Sequence, residues 1–162
     1  MDILLIKEDK DTREMLAFAL ESHYGANVKR VETVLLALDY LVEENPLDLI
    51  ICEDTASNLK LFKFLLSVES TVPCILIQTP ESLHGNEFPD LTILGKVSMD
   101  NLIDDCKAVI DSAVEKGQFQ KQETDSLYCR IKTELLIKVV PLQADIYIQL
   151  SRIKFVRLFQ KG

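Results

Sequence analysis

The chain has 162 residues, 48% of them hydrophobic, which is enough for one well-packed domain with some chain left over. It has no long uncharged apolar run and no basic-then-apolar start, so the sequence predicts neither a transmembrane helix nor a signal peptide, and we expect a cytoplasmic protein. Four widely spaced cysteines without a C-x-x-C pair argue against a zinc site or a disulfide framework, and a net charge of −8 argues against a nucleic-acid surface over most of the chain.

Short apolar runs alternate with helical patterns through residues 1–117. The runs predict five strands, in chain order ILLI, NVKRV, LDLIIC, PCILIQT and LTILG. The stretches between and after them predict helices, in chain order TREMLAFALESHYG, ETVLLALDYLVEEN, NLKLFKFLLSVES and SMDNLIDDCKAVIDSAVEKG. PESLHGNEFPD, after the fourth strand, is rich in turn residues and predicts a loop where a further helix would be expected.

The helices carry recognisable end signals and apolar faces. Asp9 or Asp11 can cap the first helix, and Ser98 is the expected N-cap of the last one. Helical spacing predicts that the second helix buries one face, formed by Val34, Leu35, Leu38, Leu41 and Val42. It predicts that the last helix buries Leu102, Cys106, Val109 and Ala113.

Strands that alternate with helices predict an α/β fold with a doubly wound parallel sheet, covered by helices on both faces. In such sheets, ligands bind beyond the carboxyl ends of the strands. The predicted ends are polar or glycine, which is also common where no site exists. They are Lys7/Glu8, Glu53/Asp54, Gln78/Thr79 and Gly95/Lys96.

The composition changes after Gly117. Residues 118–126 are polar and predict a linker, and residues 127–162 predict two or three antiparallel strands. About 35 residues bury too little surface to fold alone, so this β-rich segment either packs on the first domain or begins a second domain that is cut short at Gly162. We favour the second interpretation.

The two parts of the chain differ in charge. Residues 127–162 hold seven Lys/Arg and two Asp/Glu, a balance of +5; because the whole chain carries −8, residues 1–126 carry −13. The basic residues stand singly between apolar ones, which is typical of the solvated face of a sheet. A nucleic-acid regulator acting through this tail is a less favoured hypothesis, and it would need a compact positive patch.

In this order and spacing, residues 1–117 resemble the receiver domains of bacterial response regulators. ILLIKEDKDTREML is similar to the opening strand, acidic turn and first helix of that family, and VETVLLALDYLVEENPLDLIICED is similar to its second helix and third strand. VPCILIQT resembles its fourth strand, and GKVSMDNL resembles its fifth strand and last helix start. The resemblance implies a five-stranded flavodoxin-like (CheY-like) fold, here followed by a β-rich extension.

The family's phosphotransfer chemistry needs four groups. An acid pair after the first strand binds Mg²⁺, an Asp after the third strand accepts the phosphoryl group, and a hydroxyl and a lysine after the fourth and fifth strands contact it. The resemblance places the acid pair on Lys7 and Glu8. It places the acceptor on Glu53, the hydroxyl on Gln78 and the lysine on Gly95.

These residues depart from the pattern in chemistry. The Lys7 ammonium would compete with Mg²⁺, and the extra methylene of Glu53 moves its carboxylate by about 1 Å or more, enough to spoil an in-line geometry. Asp54, Thr79 and Lys96, one residue further on, could take the three later roles. A one-residue slip, however, turns every side chain of a strand to the opposite face, and three independent slips would be needed.

We therefore expect a degenerate, non-enzymatic pseudo-receiver without catalytic residues, cofactor or metal. In it, Lys7 lies near Glu8 and Glu53 as a permanent ion cluster that replaces Mg²⁺ and phosphate. The alternative is a functional receiver that is phosphorylated on Asp54 in a two-component phosphorelay.

The expected role is protein interaction. In the receiver family, the face around the last helix commonly pairs subunits, so we expect a protein partner or a homodimer through residues 98–116, where Ile103 and Ile110 lie off the main buried stripe. The tail PLQADIYIQLSRIKFVRLFQKG resembles segments that precede output domains in cyclic-dinucleotide signalling proteins such as HD-GYP phosphodiesterases. We therefore expect a fused output domain beyond Gly162. We expect no membrane contact for this chain.

Overall fold

The computed structural model describes residues 1–43, 47–82 and 90–119. Five strands and four α-helices alternate along this part of the chain. In chain order they are β1 Asp2–Ile6, α1 Lys10–Tyr24, β2 Asn27–Val31, α2 Val34–Val42, β3 Leu49–Glu53, α3 Leu59–Ser67, β4 Cys74–Gln78, β5 Ile93–Ser98 and α4 Leu102–Glu115, with a short 3₁₀ turn, Ala56–Asn58, before α3.

The five strands form one parallel sheet with the order β2-β1-β3-β4-β5. The register aligns Ile6 of β1 with Cys52 of β3, so the residues that follow these two positions leave the sheet at the same level. The predicted doubly wound, five-stranded parallel sheet is confirmed. The predicted linker beyond residue 119 and the β-rich segment 127–162 lie outside the described residues, as do residues 83–89 of the predicted loop.

Two apolar clusters form the core, one on each face of the sheet, because alternate side chains of buried strands point to opposite faces. The first, here called the α1/α4 cluster, contains Leu16 and Ile110 with Ile3, Ile51 and others. The second, the α2/α3 cluster, packs the inner sides of α2 and α3 on the other face. No described helix is long and apolar enough to cross a membrane.

Helix α1 begins and ends as its sequence predicts. Of the two candidate caps, Asp9 is the one that acts: its Oδ2 accepts a hydrogen bond from the Thr12 backbone N–H at 2.7 Å. Hydrogen bonding by the side chain and then by the backbone of Thr12 lowers the pKa of Asp9. Gly25 ends the helix in the left-handed conformation with φ 59°, which suits a residue without a Cβ.

The predicted faces of two helices need correction. In α2 the fully buried residues are Ala37 and Leu41, whereas Leu35 and Val42 are exposed, because the helix packs on the sheet through a narrower stripe than its uniformly apolar sequence indicates. In α4 the fully buried residue of the third turn is Ile110, not Val109. Ile110 therefore belongs to the core and gives no support to a partner surface.

The end of the sheet also differs from the prediction. Strand β5 continues through Val97 to Ser98, so Gly95 and Lys96 lie inside the strand and not at its carboxyl end. Ser98 is consequently not the N-cap of α4; Asn101 occupies that position. The longer strand forms because Val97 joins the α1/α4 cluster while β5 continues to pair with β4 as far as Gln78.

Candidate functional site

The carboxyl ends of β1 and β3 bring two oppositely charged side chains together. Lys7 is 4% exposed, and its Nζ donates a hydrogen bond to Glu53 Oε1 in a close ion pair. Their position follows from the sheet, because each is the next residue after the aligned pair Ile6 and Cys52. The amine of Lys7 thus lies inside the protein with a carboxylate partner.

Arg13 holds the turn that carries Lys7. Its Nη1 donates to the backbone carbonyl of Lys7 at 2.6 Å and to that of Glu8 at 3.2 Å, and the side chain is buried. Sequence reasoning missed this residue. The available signal was its position on the inner side of α1, between the N-cap and Leu16, where an arginine needs acceptors to be buried.

A second ion pair forms beside the first. Lys96 Nζ lies 3.3 Å from Asp54 Oδ2, and the Asp54 side chain is almost fully buried while that of Lys96 is partly exposed. The backbone N–H of Asp54 also donates to the carbonyl of Ile77 at 2.9 Å. Each of the two adjacent acids therefore has its own lysine.

The remaining predicted positions are not gathered around these pairs. Glu8 is exposed, and among the described residues no hydrogen bond or ion pair joins its side chain to Lys7, so the expected cluster of three is a pair. Gln78 is exposed at the end of β4. Thr79 donates its backbone N–H to Ser82 Oγ at 2.7 Å, and its buried Oγ1 has no partner among the described residues.

Gly95 lies where α4 crosses β5. A Cβ built on this residue would stand 2.8 Å from Val109 Cγ2, closer than real Cβ contacts. The absence of a side chain at Gly95 therefore lets Val109 of α4 pack closely onto the strand, and a larger residue here would force the Val109 side chain to shift.

A cleft of about 420 Å³ opens beside the Lys7–Glu53 pair. Its walls come from the carboxyl ends of β1 and β3, the start of α2 and the 3₁₀ turn before α3. Both members of the pair line it, together with Glu8, Glu32 and Lys60. Asn58 closes its floor by donating from Nδ2 to the carbonyl of Glu53 at 2.7 Å.

Solved structures with the same architecture include receiver domains. The N-terminal domain of a response regulator/sensory box/GGDEF 3-domain protein from Carboxydothermus hydrogenoformans superposes with a TM-score of 0.62 at 16% identity, covering 73% of this chain and 97% of that one. A response regulator receiver domain protein from Clostridium thermocellum gives a TM-score of 0.58 at 16% identity, covering 72% and 96%. This chain has the receiver fold.

A third structure, the receiver domain of the Francisella response regulator 1452, gives a TM-score of 0.53 at 18% identity, covering 69% of this chain and 98% of that one. No protein-family model and no curated protein matches the chain. At these identities the likeness shows the receiver fold alone.

The magnesium ion that the receiver resemblance implies does not fit the residues present. A hard divalent cation needs several oxygen ligands, but the first position of the acid pair carries the buried ammonium of Lys7, which already binds the Glu53 carboxylate. Among the described residues, no group of three or more Asp, Glu, His or Cys side chains could hold a metal ion. At this position the charges of Lys7 and Glu53 balance each other.

Proposed function

We propose that this chain is a pseudo-receiver, a non-catalytic signalling domain that works without phosphorylation. The observation that carries the proposal is the buried ion pair between Lys7 and Glu53. The lysine supplies the positive charge that Mg²⁺ brings to the active receivers this chain resembles, and it does so permanently. The carboxylate at the acceptor position is therefore held in a fixed arrangement and is not available for transfer.

The electrostatics of phosphoryl transfer support this proposal. Transfer requires cations that gather around the oxygens of the incoming phosphoryl group, and catalysis depends on positioning and charge stabilisation. Here the amine of Lys7 is engaged with the carboxylate that would have to attack, and Gly95 offers no side chain at the position of the receiver lysine. Charge and geometry both oppose the reaction.

The alternative, phosphorylation on Asp54, has one observation in its favour, the contact with Lys96. In that hypothesis Lys96 would be the cation that stabilises the phosphoryl group. The Asp54 side chain, however, is 6% exposed, so an acyl phosphate could reach it only after the pair had opened. We therefore favour the pseudo-receiver.

An acyl-phosphate assay separates the two functions. The chain is incubated with Mg²⁺ and acetyl phosphate, and its intact mass is compared with that of an active receiver domain treated identically. We expect no mass gain for this chain and a gain of one phosphoryl group for the active receiver. Asp54→Asn is the matched variant, because it removes the alternative acceptor with little change in size.

A stable phosphoryl group on the wild-type chain that disappears in Asp54→Asn would overturn the pseudo-receiver. A Lys7→Asp variant provides the opposite control, since it restores the first acid of the metal-binding pair. We expect Lys7→Asp to bind Mg²⁺ more tightly than the wild type in calorimetric titration, because it replaces a repelling charge with an oxygen ligand.

The output of such a domain is a protein contact. We propose residues 98–116 as the contact face, for a protein partner or a second copy, and the exposed side chains of Met99 and Val114 support it. The matched Carboxydothermus domain lies at the N-terminus of a three-domain protein, which supports the proposal that this chain is also the front of a longer regulator. Light scattering of the wild type and of Val114→Asp tests the homodimer: a monomer at every concentration would exclude it.

A further inference from the structure

Helix α2 presents an apolar surface that nothing in the described structure covers. Its sequence, VLLALDYLV, contains a single charged residue, Asp39. Only Ala37 and Leu41 are fully buried, whereas Leu35 is 68% exposed and Leu36 and Val42 are also exposed. Helices that are apolar on all sides are usually covered on all sides. The exposed apolar side of α2 therefore indicates a docking surface.

The docking surface has an acidic rim. Glu32, Asp39 and Glu43 are all exposed, and the stretch 32–43 contains no Lys or Arg. Leu35 also lines the cleft beside β1 and β3, where the exposed side chains of Glu8 and Lys60 contribute one charge of each sign. The surface therefore suits an apolar segment that carries positive charges between its apolar residues.

The exposed apolar surface of α2 favours the other of the two interpretations that the sequence left open, and we propose that residues 127–162 of the same chain dock on the outer surface of α2 instead of starting a separate domain. More than half of these residues are hydrophobic, and their charge balance is +5, opposite to the −13 of residues 1–126. In this segment, single Lys and Arg residues stand between apolar ones. They can pair with the carboxylates that border the exposed leucines of α2 while the apolar residues contact those leucines. A second copy of the acidic domain is a poorer occupant, because two surfaces of the same charge repel each other.

The chain is long enough to reach this surface. Helices that connect parallel strands run opposite to them, so α2 and α4 both end at the amino edge of the sheet, α2 with Val42 and α4 with Glu115. Phe119 still packs against the α1/α4 cluster on the opposite face. Residues 120–126 can span at most about 25 Å, and crossing the sheet and one helix layer requires roughly 20 Å. Helix α2 packs on β1 and β2, and α4 packs on β5 and β4, which adds a lateral offset of about three strand spacings, roughly 14 Å. The first residues of the segment 127–162 would therefore complete the path.

Hydrogen exchange on the 162-residue chain tests the docking. The variant Leu35→Ser/Leu36→Ser/Val42→Ser removes the exposed apolar contacts without touching the core. The control Met15→Ser/Phe18→Ser removes two comparably exposed apolar side chains from α1 on the other face. We expect amides in residues 127–162 to exchange about tenfold faster or more in the α2 variant, and at the wild-type rate in the α1 control.

A second variant tests the charge argument independently. Asp39→Lys/Glu43→Lys reverses the rim at exposed positions, and we expect it, like 1 M NaCl in the wild type, to speed exchange in residues 127–162. Exchange at the unprotected rate in the wild type would overturn the proposal, as would equal effects of the α2 variant and the α1 control. If residues 127–162 were protected from exchange only at protein concentrations at which the molecular mass is that of a dimer, the occupant of the α2 surface would be a second copy, and the proposal would be wrong.

Discussion

Lys7 carries a full charge into a place from which water is nearly excluded, and the carboxylate of Glu53 is its ion-pair partner there. Burying two charges costs desolvation free energy that their attraction roughly offsets, so such a pair adds little net stability. Removing one partner is different, because the other charge is then buried alone. The pair therefore fixes the arrangement of the β1 and β3 ends more than it strengthens the fold.

A double-mutant cycle tests this at the level of single residues. Lys7→Met keeps the side-chain length but leaves Glu53 unpaired; because Glu53 is 19% exposed and partly screened, we expect a loss of about 2 kcal/mol in the free energy of unfolding. Lys7→Met/Glu53→Leu should regain at least half of that loss. Urea unfolding measures the free energy of unfolding of the single and the double variant. If Lys7→Met alone left that free energy unchanged, Lys7 and Glu53 would not be electrostatically coupled.

At the scale of the elements, the contact between β5 and α4 forms the edge of the sheet beside the site. Gly95 allows the Val109 side chain of α4 to lie directly on the strand, and Val97 then fills the α1/α4 cluster. The receiver resemblance places a lysine at this position, but here the Val109 side chain occupies the space that a side chain at residue 95 would need.

This packing predicts a coupled pair of substitutions. Gly95→Ala places a Cβ against Val109 Cγ2, so we expect a destabilisation of about 1–3 kcal/mol. Val109→Ala makes room, so the double variant should be more stable than the sum of the two single effects indicates. Thermal unfolding of the three variants measures the coupling; strictly additive effects would mean that α4 shifts freely at this contact.

Across the part of the chain that the structure describes, the two apolar clusters enclose three thiols. Burial raises the pKa of Cys52 well above the ordinary value and raises that of Cys74 and Cys106 to about 12. The folded state therefore favours the neutral thiol, while the thiols of the unfolded chain ionise with an ordinary cysteine pKa of 9.0. Stability from these groups is fully present below about pH 9 and is lost as the pH rises toward 12.

The thiols consequently report on global unfolding. At pH 8 we expect iodoacetamide to leave Cys52, Cys74 and Cys106 unmodified in the native protein and to alkylate all three in denaturant, because only the exposed thiolate reacts. Peptide mass mapping across a urea series should give one common midpoint for the three. Rapid alkylation of any one of them in native buffer would contradict a single cooperative core.

The alternation of apolar runs and helical patterns was sufficient to predict the parallel sheet and its five strands, and it narrowed the cap of α1 to Asp9 or Asp11, because backbone hydrogen bonding and burial act locally on each segment. The receiver resemblance supplied the expectation that Lys7 lies near Glu8 and Glu53, of which the structure forms the pair with Glu53. Only the tertiary structure decided which side of α2 is buried, that Ile110 belongs to the core, and that β5 continues past Lys96. Those outcomes depend on how far neighbouring elements pack against one another: α4 can lie on Gly95 only once the sheet exists, and Arg13 can be buried only where the β1–α1 turn presents its carbonyls.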